Sequence, residues 1–166
     1  VYGALGVVFF VLVLQLQVSA GWSALAAGLT GLPTTIALMA LSSRAAAFAA
    51  RIGPRIPMTI GPIVCAAGVL LLTGAGAGTR WYAVAPGLIV FALGLALLVS
   101  PLTAAVLAAA PQSHAGVASG INNAVARAGS LLAVAALPTL AGLSGDAYQS
   151  PVAMTAGYRF AMFACA

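Results

Sequence analysis

Residues Tyr82–Ser100 read YAVAPGLIVFALGLALLVS, an uninterrupted apolar run without a single charge. At 1.5 Å per residue a helix of this length covers about 28 Å, close to the roughly 30 Å hydrocarbon thickness of a bilayer. No alternation of apolar and polar residues marks it as a barrel strand. Alanine and leucine dominate, and both favour helices. In lipid a helix satisfies its own backbone hydrogen bonds, so the composition itself selects that solution. The rest of the chain has the same character. Of its 166 residues 63% are hydrophobic and 4% are charged, against about 25% charged in soluble globular proteins. Too few charges exist to cover a water-soluble domain. Disorder is excluded because disordered chains are poor in apolar residues. A collagen-like repeat is excluded because the 19 glycines show no period of three.

Six apolar segments of bilayer length follow from the same criterion. They are Val1–Ser19, Ala24 to about Phe48, Ile56–Gly76, Tyr82–Ser100 with an extension towards Ala110, Ala115–Leu143, and a sixth from Gly157. The expected fold is an all-α, polytopic transmembrane helix bundle of about six spans, the last one truncated. A first residue that is Val1 and a last, Ala166, inside an apolar run read as a fragment cut at both ends. Residues 1–20 lack a basic n-region and do not read as a signal peptide. Turn residues join the spans at Gly21-Trp22-Ser23, Arg51-Ile52-Gly53-Pro54-Arg55, Gly76-Ala77-Gly78-Thr79-Arg80 and Pro111-Gln112-Ser113-His114. The longest connection, Ser144–Ala156, holds the only acid, Asp146.

All six basic residues are arginines, giving a formal charge of +5. They are scattered between apolar runs and make no basic patch for nucleic acid. The cluster Arg44, Arg51 and Arg55 places its turn in the cytoplasm. Trp22, Trp81, Tyr82, Tyr148 and Tyr158 then fall at the outer interface, where amphipathic rings favour headgroup level. Arg80 and Arg159 run against that orientation. Prolines 33, 62, 86, 101 and 138 lie in or near the spans and are expected to kink them, with a bend or helix end at Ser100-Pro101. Gly74-x-x-x-Gly78 and Gly116-x-x-x-Gly120 match the spacing that lets helix backbones approach closely.

Polar groups at membrane depth are costly, so each needs a reason. Ser119, Asn122, Asn123, Arg127 and Ser130 recur at spacings of three and four along the fifth span. They are expected to share a face that looks into the bundle or a water-filled cavity. Arg127 lies 12 residues into that span, roughly 18 Å along a helix. In the opposing reading Arg127 snorkels to the interface and the asparagines only join helices. Gln15 and Gln17, two apart, point to different sides; one faces a cavity and the other the outer interface. Thr34 and Thr35 are expected to satisfy carbonyls freed by Pro33. Cys65 and Cys165 read as two small buried hydrophobes. With one histidine in a loop, one aspartate and no lysine, there is no acid–base pair, no activated nucleophile, no phosphate loop and no metal-ligand set. An enzyme is not expected, nor a cofactor.

Several stretches resemble the major facilitator superfamily, in its fourteen-helix drug–proton antiporter branch. Leu16-Gln17 followed by Gly21-Trp22-Ser23-Ala24-Leu25-Ala26-Ala27-Gly28 and Leu32-Pro33 resembles the junction of the first two helices of that branch's C-terminal half. Ala115-Gly116-Val117-Ala118-Ser119-Gly120-Ile121-Asn122-Asn123, with Arg127 and Gly129, resembles its penultimate helix. Ser100-Pro101-Leu102-Thr103 falls between them in the right order. Ala46-x-Phe48-x-Ala50-Arg51-Ile52-Gly53-Pro54-Arg55 resembles the superfamily's cytoplasmic loop motif, Gly-x-Leu-x-Asp-Arg-x-Gly-x-Arg. Arg51, Gly53 and Arg55 match it, whereas its acid is Ala50 here and its first glycine Ala46.

The resemblance implies that residues 1–166 are a C-terminal six-helix bundle whose N-terminal bundle, on the same polypeptide, is absent. It implies a secondary transporter of the bacterial cytoplasmic membrane, exporting small amphipathic organic compounds by proton antiport and alternating access. Its partners would be membrane lipid, the small-molecule substrate and protons. Gln15, Asn122, Asn123 and Arg127 would line the substrate pathway, and Arg51, Gly53 and Arg55 would serve the cytoplasmic gate. No span here holds an acid, so the proton-carrying carboxylate would lie in the other bundle. The rival reading is a six-helix membrane scaffold or assembly subunit without a transport cycle.

Overall fold

The computed structural model describes residues 2–76, 78–109 and 111–166. Val1, Ala77 and Ala110, on which the first span, the third connection and the extension of the fourth span partly fell, lie outside the described residues. Among the described residues there are seven α-helices: α1 (Tyr2–Val18), α2 (Ala24–Leu29), α3 (Leu32–Ile52), α4 (Arg55–Leu72), α5 (Trp81–Ala108), α6 (Ala115–Leu140) and α7 (Pro151–Cys165). Short 3₁₀ turns precede α6 at Gln112–His114 and α7 at Gly145–Gln149. Among the described residues there is no strand.

Local chemistry sets the helix ends. Ser23 and Ser150 stand in extended backbone, and their hydroxyls accept from Ala26 N and Ala153 N, capping α2 and α7. The second expected span is two helices. Pro33 has no N–H to bond back to Leu29, so the ladder breaks at Thr30-Gly31 and restarts with Pro33 in the first turn of α3. Thr30 and Thr35 hydroxyls donate to Ala27 O and Gly31 O, whereas Thr34 is buried and its hydroxyl has no partner. At Pro101 the expected helix end does not occur, and α5 runs through both Pro86 and Pro101. Helix α3 packs alongside there, with Ser100 Oγ donating to Ser42 O at 3.5 Å. The sixth segment begins at Pro151 rather than Gly157.

Four helical stretches are long and apolar enough to cross a membrane: Ala24–Ile52, Arg55–Leu72, Trp81–Val106 and Ala115–Leu140. The first of these joins α2 and α3. By length α1, at 17 residues, and α7, at 15, fall short of that. Large apolar side chains cover the outside, among them Met39, Ile63, Leu131, Leu132 and Phe163, each more than 60% exposed. Water would not tolerate so much contiguous apolar surface, but acyl chains do. This is the build of a membrane protein.

The core lies between α1, α4, α5 and α7. Val8, Val11, Leu12, Leu88, Met154 and Met162 are wholly buried there, and Phe9 meets Phe91 edge-on with ring centroids 6.2 Å apart. Outside this core, α3 packs along α5 and α6 packs along α1.

The closest approach is between α4 and α5. A Cβ on Gly68 would lie 2.5 Å from Phe91 N, and one on Gly94 would lie 2.5 Å from Cys65 N. Gly61 and Gly87 are similarly pressed, against Leu98 and Leu72. Gly61 and Gly68 are seven apart, as are Gly87 and Gly94, so two antiparallel helices meet through glycine at matching heptad intervals. The glycines that the sequence pattern singled out do not take this role. A Cβ on Gly116, Gly120 or Gly78 meets nothing within 4 Å, and one on Gly74 meets only Leu71 O.

The turn between α3 and α4 depends on Gly53, at φ 84° and ψ 157°. Side-chain-bearing residues essentially never adopt that region. No atom crowds the position, so the cost of a side chain is purely backbone. Gly53→Ala is therefore expected to lower stability by about 1–3 kcal/mol, read as a lower melting temperature of the detergent-purified protein. An unchanged melting temperature would show that the turn relaxes.

Candidate functional site

The polar residues of α6 are the starting point. Its covered side runs Ala118, Asn122, Ala126, Ser130, Ala133 and Leu137, each only partly exposed. This side meets α1, where Gly3 and Gly6 lack side chains opposite Gly129, Ala133 and Ser130. At about 100° per residue, Asn123 falls some 100° from Asn122, and Arg127 another 40° further round. By the same rule Ser119 and Ser130 fall about 60° and 80° from Asn122, so the five expected residues share an arc of about 140° and differ in exposure. Ser130 sits in the α1 seam and Asn122 is half-buried at its margin, while Ser119, Asn123 and Arg127 form an exposed strip on the flank. The remaining exposed side carries Val117, Ile121, Val125 and Leu132 and is apolar.

Geometry explains the exposure. Helices α1 and α6 run parallel, and Gly3, in the first turn of α1, is level with Gly129. Ser119, Asn123 and Arg127 lie N-terminal to the part of α6 that packs on Gly3 and Gly6, and they are exposed. No side-chain hydrogen bond among the described residues engages Asn122, Asn123 or Arg127; the polar contacts that join helices are made elsewhere, by Gln15, Ser19, Trp22, Cys65, Ser100, Thr155 and Tyr158. Asn123 stands one turn from Arg127 on the same strip.

Gln15 is placed quite differently. It is fully buried near the far end of α1. Its amide donates to Ala75 O and to Thr155 Oγ1, each at 3.1 Å, and its carbonyl accepts from Ser19 Oγ at 3.1 Å. Thr155 in turn donates to Pro151 O at 2.7 Å. Both amide protons and the acceptor oxygen are thus engaged, tying α1 to α7 and to the α4–α5 connection. Gln17 is partly exposed and reaches only Val13 O on its own helix, at 3.4 Å. The two glutamines do point to different sides.

The same end is fastened by aromatic groups. Trp22 Nε1 donates to Thr79 O at 3.0 Å, and its ring lies 6.5 Å from that of Trp81. Tyr82 is exposed at this level. Tyr158, expected at the interface with these, is instead wholly buried and donates to Leu72 O at 2.6 Å. A backbone carbonyl at the end of α4 takes the place of a headgroup as its partner.

At the opposite end stand Arg51, Gly53 and Arg55. Arg51 occupies the last turn of α3, where a cation suits the helix dipole. Both arginines are exposed. Ala46 and Ala50, which replace the glycine and the acid of the loop pattern, line a cleft of about 300 Å³ against Ser100, Pro101 and Ala104 of α5. That wall is almost entirely apolar and offers a carboxylate little to bond to.

Nothing among known protein families, curated proteins or solved structures matches this chain.

The site's chemistry therefore rests on its own geometry. Gln15 and the α6 strip are not brought together. The clefts along α5 and at Cys65 are lined by other residues than Gln15, Asn122, Asn123 and Arg127. Cys65 and Cys165 line a common cavity of about 160 Å³ between α1, α4, α5 and α7. No cluster of three or more His, Cys, Asp or Glu side chains exists among the described residues to hold a metal ion. Ser19 and Thr155 complete the Gln15 network without having been singled out by sequence. Their signal was faint: two small hydroxyls near helix ends, in segments 136 residues apart.

Proposed function

We propose that the chain is one six-helix half of a secondary active transporter in the bacterial cytoplasmic membrane. A second bundle of the same polypeptide would cover the exposed strip of α6, and the substrate would pass between the two halves. Small amphipathic organic compounds, exchanged for protons, suit a half whose clefts are apolar and whose spans carry no acid. In this reading α1 and α7 complete the six spans by tilting little in a locally thin bilayer.

The observation that carries the proposal is the strip Ser119, Asn123 and Arg127. It is exposed on a helix whose other exposed side is apolar. Acyl chains offer a guanidinium no acceptor, so a water-filled space or a polar partner is required there. Arg51 and Arg55, at the same end, would face the cytoplasmic surface and the gate beside it, with Gly53 shaping the turn.

The test is efflux of a fluorescent cationic dye from cells carrying the intact gene, with and without a proton uncoupler. Efflux is expected to collapse with the uncoupler. Arg127→Ala is expected to slow it about tenfold, the loss of one charge-assisted hydrogen bond in the transport cycle. Unchanged efflux by normally inserted Arg127→Ala protein removes the pathway role, and indifference to the uncoupler removes proton antiport.

A further inference from the structure

Arg44 lies eight residues before the end of α3 at Ile52, roughly 12 Å inside that end along the axis. It is exposed. With Leu41, Phe48, Leu93 and Leu97 it lines an open groove of about 390 Å³ between α3 and α5. Its guanidinium is permanently charged and can only donate. The chain has a single acid, Asp146, in the connection between α6 and α7. From α3 onwards successive helices alternate in direction, so that connection belongs to the end opposite the α3–α4 turn. Among the described residues no acid stands at the arginine end of the bundle beside Arg44.

Two features of the groove define the anion that suits it. Arginine's planar fork matches phosphate oxygens in pairs. The wall beside it is hydrocarbon, open along the helices. A molecule with a phosphate at one end and an alkyl chain at the other satisfies both at once. Basic pockets between spanning helices near the cytoplasmic surface take anionic lipid headgroups in this way. We infer that the α3–α5 groove is a binding site for one anionic phospholipid, its phosphate on Arg44 and an acyl chain along Leu41, Phe48, Leu93 and Leu97. The stem of Arg44 lies along the groove and its head reaches towards the headgroups. This inference rests on the membrane reading and not on transport, so a failed efflux assay leaves it standing.

The test uses the full protein in mild detergent, with retained lipid counted by native mass spectrometry. The probes are phosphatidylglycerol and phosphatidylcholine with identical acyl chains. Wild-type protein is expected to retain phosphatidylglycerol about fivefold better, the preference that one arginine near the surface confers. Arg44→Gln is expected to abolish the preference, Arg44→Lys to keep most of it, and Arg55→Gln to leave it unchanged. Leu97→Trp fills the groove without touching the charge and is expected to lower retention of both lipids. Equal retention of the two lipids by wild type overturns the proposal, as does an undiminished preference in Arg44→Gln. If Arg44→Gln does not fold, undiminished retention by Leu97→Trp overturns it instead. A carboxylate from another helix as the true partner of Arg44 would appear as lipid retention indifferent to both substitutions.

Discussion

Gly94→Val is expected to be the most damaging single substitution in this chain, with Gly68→Ala close behind. A Cβ at position 94 falls 2.5 Å from Cys65 N and 2.8 Å from Gly61 O, and one at 68 falls 2.7 Å from Phe91 Cα. These are backbone atoms, which cannot swing aside as a flexible side-chain tip does. Relief requires α4 and α5 to separate along their length, which undoes the contacts of Leu72, Leu88 and Leu95 as well. Overpacking of this kind costs about 1–3 kcal/mol and occasionally more, with valine at the upper end. The gain in helix propensity on replacing glycine by alanine is about 1 kcal/mol, so the clash wins. The control is Gly116→Ala together with Gly120→Ala. Those positions meet nothing within 4 Å, and the pair is expected to be neutral or slightly stabilising. Thermal or denaturant unfolding in detergent distinguishes them. Equal stability of Gly94→Val and the control pair would mean that α4 and α5 do not touch as described.

Gln15→Leu is expected to cost about 2 kcal/mol, the penalty for leaving a buried acceptor unpaired. Leucine matches the volume of glutamine closely, so packing changes little. What changes is that Ala75 O loses its donor at a position only 4% exposed, while Ser19 and Thr155 lose one partner each. Gln17→Leu, two residues on, removes only a long contact to its own helix and is expected to be neutral. The difference between the two variants in one unfolding series isolates the network from any general effect of a more apolar α1. If both are neutral, Gln15 is not a fastening point and its placement in a substrate path gains ground.

The helical, lipid-solvated character of the chain was legible because the feature behind it is global. A chain with so few charges cannot make a water-facing surface, and only helices satisfy a backbone in lipid. The turns at Gly21-Trp22-Ser23 and Gly53-Pro54 were legible because their residues have specific backbone demands. Which helix lies against which was not. In a soluble helix the polar side reports the outside, but α5 is apolar nearly all round and α1 has only Gln15 and Gln17 on different sides, so neither shows which side turns inward. The glycines show the same limit. Gly116-x-x-x-Gly120 and the pair Gly61 and Gly68 look equally able to receive a partner. Only the partner's own gap, at Gly87 and Gly94, decides between them. The repetition of a seven-residue glycine interval on two consecutive spans was the available clue.

The α6 strip was legible as polar but not as exposed. Spacings of three and four place residues on a common side only over a narrow arc. The five residues from Ser119 to Ser130 span an arc of about 140°. Which of them α1 covers is decided by packing that no pattern within α6 contains. The burial of Tyr158 was hidden for a similar reason. Its hydroxyl found a carbonyl on a helix 86 residues earlier in the chain, a partner that the amphipathic character of the ring does not reveal.

The hydrogen bonds that join one helix to another are concentrated at one end of the bundle. Gln15, Ser19, Thr155, Trp22 and Tyr158 bind α1, α7 and the α4–α5 connection there. At the arginine end, helix-to-helix bonding among the described residues reduces to the long Ser100–Ser42 contact. A body clamped at one extremity moves most at the other, as the tines of a fork do about their common base. Were two such bodies placed face to face, the widening and narrowing of the space between them would be greatest beside the arginines and least beside the tryptophans.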